Sequence, residues 1–145
     1  MRELKLRAWL DEYKQYLYFG GDYKEQTGRW GKGRCALLGN NYIAELYANE
    51  DNSNMFYQVH KVECIEQYTG SIDKNGKEIY EGDILHSKVG IDYAVSYSVD
   101  KGRYEMWSKD GYGGGIAGAQ YIKEFNIEVI GNIHETPELL EREEG

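Results

Sequence analysis

At 145 residues the chain fits one domain, long enough to bury roughly two thirds of its surface. Seventeen basic against 25 acidic residues leave a net charge of −8, which favours solubility and argues against broad, sequence-independent binding to nucleic acid, where phosphates must be neutralised. No apolar run approaches the ~20 residues of a membrane span, no signal peptide is visible, and the two cysteines, Cys35 and Cys64, read as reduced thiols of a cytoplasm.

One proline and 18 glycines are a β-rich balance, with turns made by Gly and Asn. Leu4, Leu6 and Ala8 alternate with Lys5, Arg7 and Trp9, which predicts a first strand with one apolar face. A second short strand is expected around Tyr16–Phe19. Gly20 to Gly33 is a loop by composition. Asn40-Asn41 marks a turn before a strand at Tyr42–Tyr47, and Asn49–Asn54 is a polar break. Phe56–Ile65 reads as extended, but its apolar phase slips between Val59 and Val62, as at a bulge or under two-sided burial.

The segment from Tyr68 to Leu85 is the most informative. Asn75-Gly76 is the strongest short hairpin signal, because both residues tolerate positive φ, and Asp73 can fold its carboxylate onto nearby backbone N–H groups. Glu81-Gly82-Asp83 then interrupts, and Ile84-Leu85 starts a new strand. The whole predicts a hairpin bending sharply into the next strand. Ile91, Tyr93, Val95, Tyr97 and Val99 alternate without error, the clearest strand in the chain, with Tyr93 and Tyr97 expected in the core. Asp100-Lys101-Gly102 turns it back through Tyr104 and Met106. Ser108 to Gly118 is a flexible glycine-rich excursion. Ile127, Val129 and Gly131 form a last strand, and Thr136-Pro137-Glu138 opens a short C-terminal helix.

The fold class expected is therefore mainly β: an SH3-like small barrel or a two-sheet β architecture in the C-terminal half, with a short C-terminal helix. One domain spans 1–145, with a poorly patterned β region at 1–67 and a hairpin-rich region at 68–140.

The central segment also carries a resemblance. Tyr68-Thr69-Gly70, Asp73, Asn75-Gly76, Tyr80 and Gly82-Asp83 are similar to the signature segment of the YopX family, small proteins encoded by bacteriophages and prophages. Met1–Trp9 is similar to that family's opening, and Val129–Leu140, with Gly131-Asn132, to its closing segment. The resemblance implies a phage or prophage context in a bacterial cytoplasm and supplies no catalytic residue.

Each possible chemistry has a plainer reading. Gly113, Gly115 and Gly118 spell a dinucleotide fingerprint, but that motif needs a parallel strand–helix unit. Gly28–Gly33 with Lys32 suggests a phosphate loop, but the spacing fails and no Ser or Thr follows Lys32. Arg29, Trp30, Lys32 and Arg34 alternate with glycine and can stack and clamp a single nucleic-acid strand; the plainer reading is a solvated loop neutralised by Asp22 and Glu25. His60, Cys64, Cys35, His86 and His134 lack paired ligand spacing, so no metal is expected, and no cofactor. Cys64 with His60 or His86 carries no mark of an activated thiol. Asp73-Lys-Asn-Gly resembles the start of a calcium loop, but Lys77 and Ile84 fall where oxygen ligands belong. Glu81 and Asp83 can pair as acid and base, but Asp83 reads better as a backbone acceptor at the bend. The glutamates from Glu135 to Glu144 read as a solvated helix face rather than a DNA mimic.

The functional expectation is a non-enzymatic phage or prophage accessory protein acting through protein–protein interaction with host or phage partners, and self-associating. A nucleic-acid-binding module using Arg29, Trp30, Lys32 and Arg34 is the alternative, and an enzyme the third reading. Self-association follows from 20 aromatic residues, 14 of them tyrosine, which alternating strands cannot all turn inward. Tyr13, Tyr16, Tyr18, Tyr23, Tyr42 and Tyr47 are expected outside, where a ring can be covered while its hydroxyl stays hydrogen-bonded.

Overall fold

In the computed structural model, residues 5–20, 34–37, 42–48, 55–62, 64–116 and 118–141 are described. The chain is mainly β, with curled sheets of the small-barrel type and, among the described residues, one short helix and one 3-10 turn. It forms two compact units, Met1–Gln67 and Tyr68–Gly145. No helix among the described residues is long and apolar enough to cross a membrane.

In the first unit, β1 (Lys5–Leu10) pairs antiparallel with β2 (Gln15–Gly20) through a turn at 11–14. A second sheet has the order β3 (Arg34–Leu37), β4 (Tyr42–Ala48), β5 (Met55–Lys61), all antiparallel. β6 (Ile65–Ile72) starts in this unit, where Ile65 to Gln67 pair with β1. The core gathers Ala8, Leu10, Leu17 and Val62, with Leu6, Tyr13 and Ile65 packed against it.

Here β1 departs from the alternation. Arg7, expected to face water, is 4% exposed. It lies directly opposite Glu66 on β6, with Nε donating to Oε1 at 2.8 Å, and its guanidinium carbon is 4.0 Å from the centroid of the Tyr16 ring. Trp9 is also buried, edge-on to Tyr16 at 5.1 Å. Both faces of β1 are covered, because an ion pair and an aromatic ring close the side that polarity assigned to solvent. The phase slip after Val59 has a simpler cause than a bulge: β5 ends at Lys61, and Val62 is a buried link to β6.

The second unit holds a five-stranded antiparallel sheet. Its order is β11 (Gly113–Gly115), β10 (Arg103–Trp107), β9 (Asp92–Ser98), β8 (Asp83–His86), β12 (Glu128–Asn132). β7 (Glu78–Tyr80) returns along the end of β6. A helix, α1 (Ala119–Glu124), contributes Ile122 to a core of Ile79, Leu85, Tyr93, Val95, Met106 and Ile127. Pro137–Glu141 is a 3-10 helix.

Two expectations change in this unit, and one element stands where the sequence pattern assigned none. The glycine-rich excursion contains a strand: β11 lies so close to β10 that a Cβ on Gly113 would collide with the Met106 carbonyl oxygen, so absence of a side chain makes the pairing possible. Ala119–Glu124 is helical, a six-residue run in which Ala, Gln, Lys and Glu favour helix. Tyr97 is 46% exposed and Val99 85%, because the β9–β10 hairpin runs on past the core that Tyr93 and Val95 fill. Tyr97 leans edge-on against Tyr104 at 5.0 Å instead.

Candidate functional site

The polar residues of the central segment hold the backbone of the second unit. Asp73 is buried at the start of the Asn75-Gly76 turn. Its Oδ1 accepts from the N–H groups of Asn75 (2.8 Å) and Lys77 (2.9 Å), and its Oδ2 from that of Val129 on β12 (3.0 Å). Gly76 N–H donates to Asp73 O and takes φ +84°, whereas Asn75 keeps negative φ. The turn is thus a four-residue turn closed by one left-handed glycine, not a pair of left-handed residues.

A bulge precedes it. β6 and β7 pair at Tyr68↔Tyr80 and again at Ile72↔Glu78, so β6 carries extra residues between the two points. Gly70 (φ +90°) makes the kink. Thr69 fills the gap in hydrogen bonding: its hydroxyl donates to Ile79 O at 2.8 Å and accepts from Ser71 N–H at 3.2 Å.

The bend between β7 and β8 is fastened in the same way. Asp83 Oδ2 accepts from Tyr80 N–H at 2.8 Å, Gly82 N–H donates to Val95 O, and Ile133 N–H donates to Gly82 O. Gly82 is buried at φ +84°. At the end of β12, Asn132 Oδ1 accepts from the N–H groups of His134 and Glu135, and Asn132 N–H donates to the Thr136 hydroxyl. A Cβ on Gly131 would collide with that hydroxyl and stand 3.0 Å from Leu139 Cδ1. Thr69, Asp73, Asp83 and Asn132 are buried and turned onto backbone groups.

A second polar arrangement lies along β10, where exposed Arg103 and Trp107 flank the buried Glu105. Arg103, Glu105 and Trp107 share one face of that strand, opposite Ser98, Ser96 and Ala94 of β9. Arg103 Nε and Nη2 both donate to Glu105 Oε2, at 3.0 and 2.9 Å, and Trp107 Nε1 donates to Oε1 at 3.2 Å. The Trp107 hydrogen bond, opposed by burial and aided by Arg103 and Lys101, holds the Glu105 carboxyl below its ordinary value. Beside this row opens a cleft of about 380 Å3, lined by Thr69, Ser71, Arg103, Tyr104, Gly115 and Ile116.

Arg29, Trp30 and Lys32 lie outside the described residues, and Arg34 opens β3. Cys64 Sγ lies 3.9 Å from Glu66 Oε2, and His86 Nδ1 is 2.6 Å from Asp92 Oδ1. Gly113 and Gly115 are on β11 and Gly118 precedes α1, but β11 runs antiparallel to β10, so the parallel unit a dinucleotide needs is not formed there. Among the tyrosines expected outside, Tyr18 and Tyr42 are exposed, Tyr13 and Tyr16 are half-buried, and Tyr23 and the side chain of Tyr47 lie outside the description. Arg103 and Ser71 carried no sequence signal, because only the bulge and the hairpin bring them to one cleft.

The family model described as YopX protein matches residues 5–141. No curated protein matches the sequence. The crystal structure of protein EF1440 from Enterococcus faecalis is similar at a TM-score of 0.56 and 23% identity, over 94% of this chain and 97% of that one.

Proposed function

The chain belongs to the YopX family, and from that premise we propose that it is a non-enzymatic phage or prophage accessory protein, working in the host cytoplasm by binding proteins, a second copy of itself first among them. The observation that supports this reading is the β9–β10 hairpin. Tyr97 and Val99 at one end of it, with Trp107 at 37% exposure at the end of β10 and Tyr112 at 57% in the turn that follows, leave large apolar side chains exposed. Aromatic residues in such positions suit an interface, since a ring can be covered while its polar edge stays at the rim. The polar side chains of the central segment, turned onto backbone groups, support a structural role for that segment.

Sedimentation equilibrium at micromolar concentration tests it. A mass that rises with concentration above 16.7 kDa, and falls back when Val99→Lys and Tyr112→Ser are introduced, is the expected result. A concentration-independent 16.7 kDa species overturns self-association. Binding of labelled single-stranded DNA at low salt, lost in Arg29→Ala/Lys32→Ala, would instead favour a nucleic-acid module.

A further inference from the structure

The cleft beside β10 has the parts of a small-molecule site, and it does not depend on the self-association reading. Its cation is fixed from behind. Glu105 Oε2 takes both Nε and Nη2 of Arg103, and Trp107 holds the other carboxylate oxygen. That arrangement leaves Nη1 as the guanidinium nitrogen Glu105 does not engage. Nη1 lies on the Gly115 side, where a Cβ would stand 3.2 Å from it and 3.1 Å from Cζ. A Cβ at 115 would press the guanidinium aside by a few tenths of an ångström. Lys101 Nζ is 3.9 Å from the same Glu105 oxygen, so two cations share one carboxylate beside the cleft.

The remaining lining divides into two kinds. Thr69's hydroxyl is committed to Ile79 O and Ser71 N–H, which leaves the Ser71 hydroxyl as the adjustable polar group. Tyr104 and Ile116 supply an apolar wall. The volume, about 380 Å3, lies at the small end of ligand pockets. One guanidinium end, the Ser71 hydroxyl, and an apolar wall made by the Tyr104 ring and Ile116 match a singly charged acid with a hydrocarbon body. A phosphate dianion presents three acceptor oxygens and no apolar part, and this cleft offers it too few donors.

We propose that this cleft binds a small monocarboxylate, its carboxylate on Arg103 and Ser71 and its apolar body against Tyr104 and Ile116. The test uses the full chain, 15N-labelled, titrated separately with sodium hexanoate, hexan-1-ol and sodium phosphate. Hexanoate is expected to shift the amides of Ser71, Gly115 and Ile116 saturably, with a Kd on the order of 1 mM for so small a probe. Hexanol and phosphate should each bind about tenfold more weakly or worse, since each lacks one half of the match. Arg103→Gln should weaken hexanoate about tenfold and Ser71→Ala by a few-fold. Gly115→Ala should weaken it by a few-fold, because its Cβ presses the guanidinium a few tenths of an ångström out of place. Should Arg103→Gln fail to fold, Ser71→Ala and Gly115→Ala decide the matter alone. Hexanoate shifts that are absent, that are equalled by hexanol or phosphate, or that survive these substitutions in folded protein overturn the assignment.

Discussion

Asp73→Ala removes, in one change, the acceptor of three backbone N–H groups. Two belong to the exposed turn residues Asn75 and Lys77, where water can take the carboxylate's place. The third belongs to Val129 on β12, joined to Asp73 across the second unit. A hydrogen bond to a charged group contributes about 1.5–3 kcal/mol net, with solvent-replaceable bonds at or below the lower bound. Counting Val129 within that range and the two turn amides together as about 1 kcal/mol gives a loss of about 2.5–4 kcal/mol. That is a large share of the ~5–15 kcal/mol that holds a domain folded. Asp73→Asn keeps one acceptor for the turn but sets an NH2 group against the Val129 N–H, a loss of about 2 kcal/mol. Urea and thermal unfolding followed by far-UV circular dichroism measure both, and at ~3 °C per kcal/mol the alanine variant should melt roughly 8–12 °C below the parent. If either variant unfolds within about 0.5 kcal/mol of the parent, the three bonds do not hold the turn to β12 and the structural role given to the central segment fails.

Gly76→Val and Gly82→Val both force a β-branched residue to positive φ and should each cost more than ~1 kcal/mol, with the buried Gly82 the more sensitive; two parental melting curves would refute the strain. Glu105, whose carboxyl is held low first by the Trp107 hydrogen bond, stabilises the fold at neutral pH and loses that contribution as pH falls through its depressed folded-state pKa. The stability gap between parent and Glu105→Gln should therefore be full at neutral pH and shrink once pH drops below the ordinary value of 4.5; a gap constant across that range counts against the coupling. Purified protein should carry sub-stoichiometric zinc and melt unchanged in chelator, and one tightly held zinc per chain by elemental analysis would contradict this.

Legibility in the sequence followed the range of the forces involved. Turns fixed by single residues, such as Asn75-Gly76, Glu81-Gly82-Asp83 and Asp100-Lys101-Gly102, stand where their chemistry put them, and so does the β9 alternation through Val95. The reading failed where a partner distant in sequence decides. Arg7 looks solvent-facing until Glu66 arrives opposite it. Tyr97 sits in perfect phase, yet the core ends before reaching it. Gly113–Gly115 reads as loop because strand periodicity is carried by side chains, and these residues have none. The cleft was invisible for the same reason. Ser71 reaches it through a bulge and Arg103 through a hairpin, and neither position differs locally from an ordinary surface residue.

The order of strands in the second unit has a consequence for the time course of folding. β8, β9, β10 and β11 are neighbours in both chain and sheet, so each can zip onto the last with little loop closure. β12 joins β8 only after β9, β10, β11 and α1 have intervened, at Val129↔Leu85 and Asn132↔Asp83. Its docking spans the longest loop and belongs to the late side of the folding barrier. A defect in β12 such as Gly131→Ala should then leave the refolding rate close to the parental one while unfolding quickens. The molecule's lifetime against heat or protease is set at that seam, where the last strand is the first to leave.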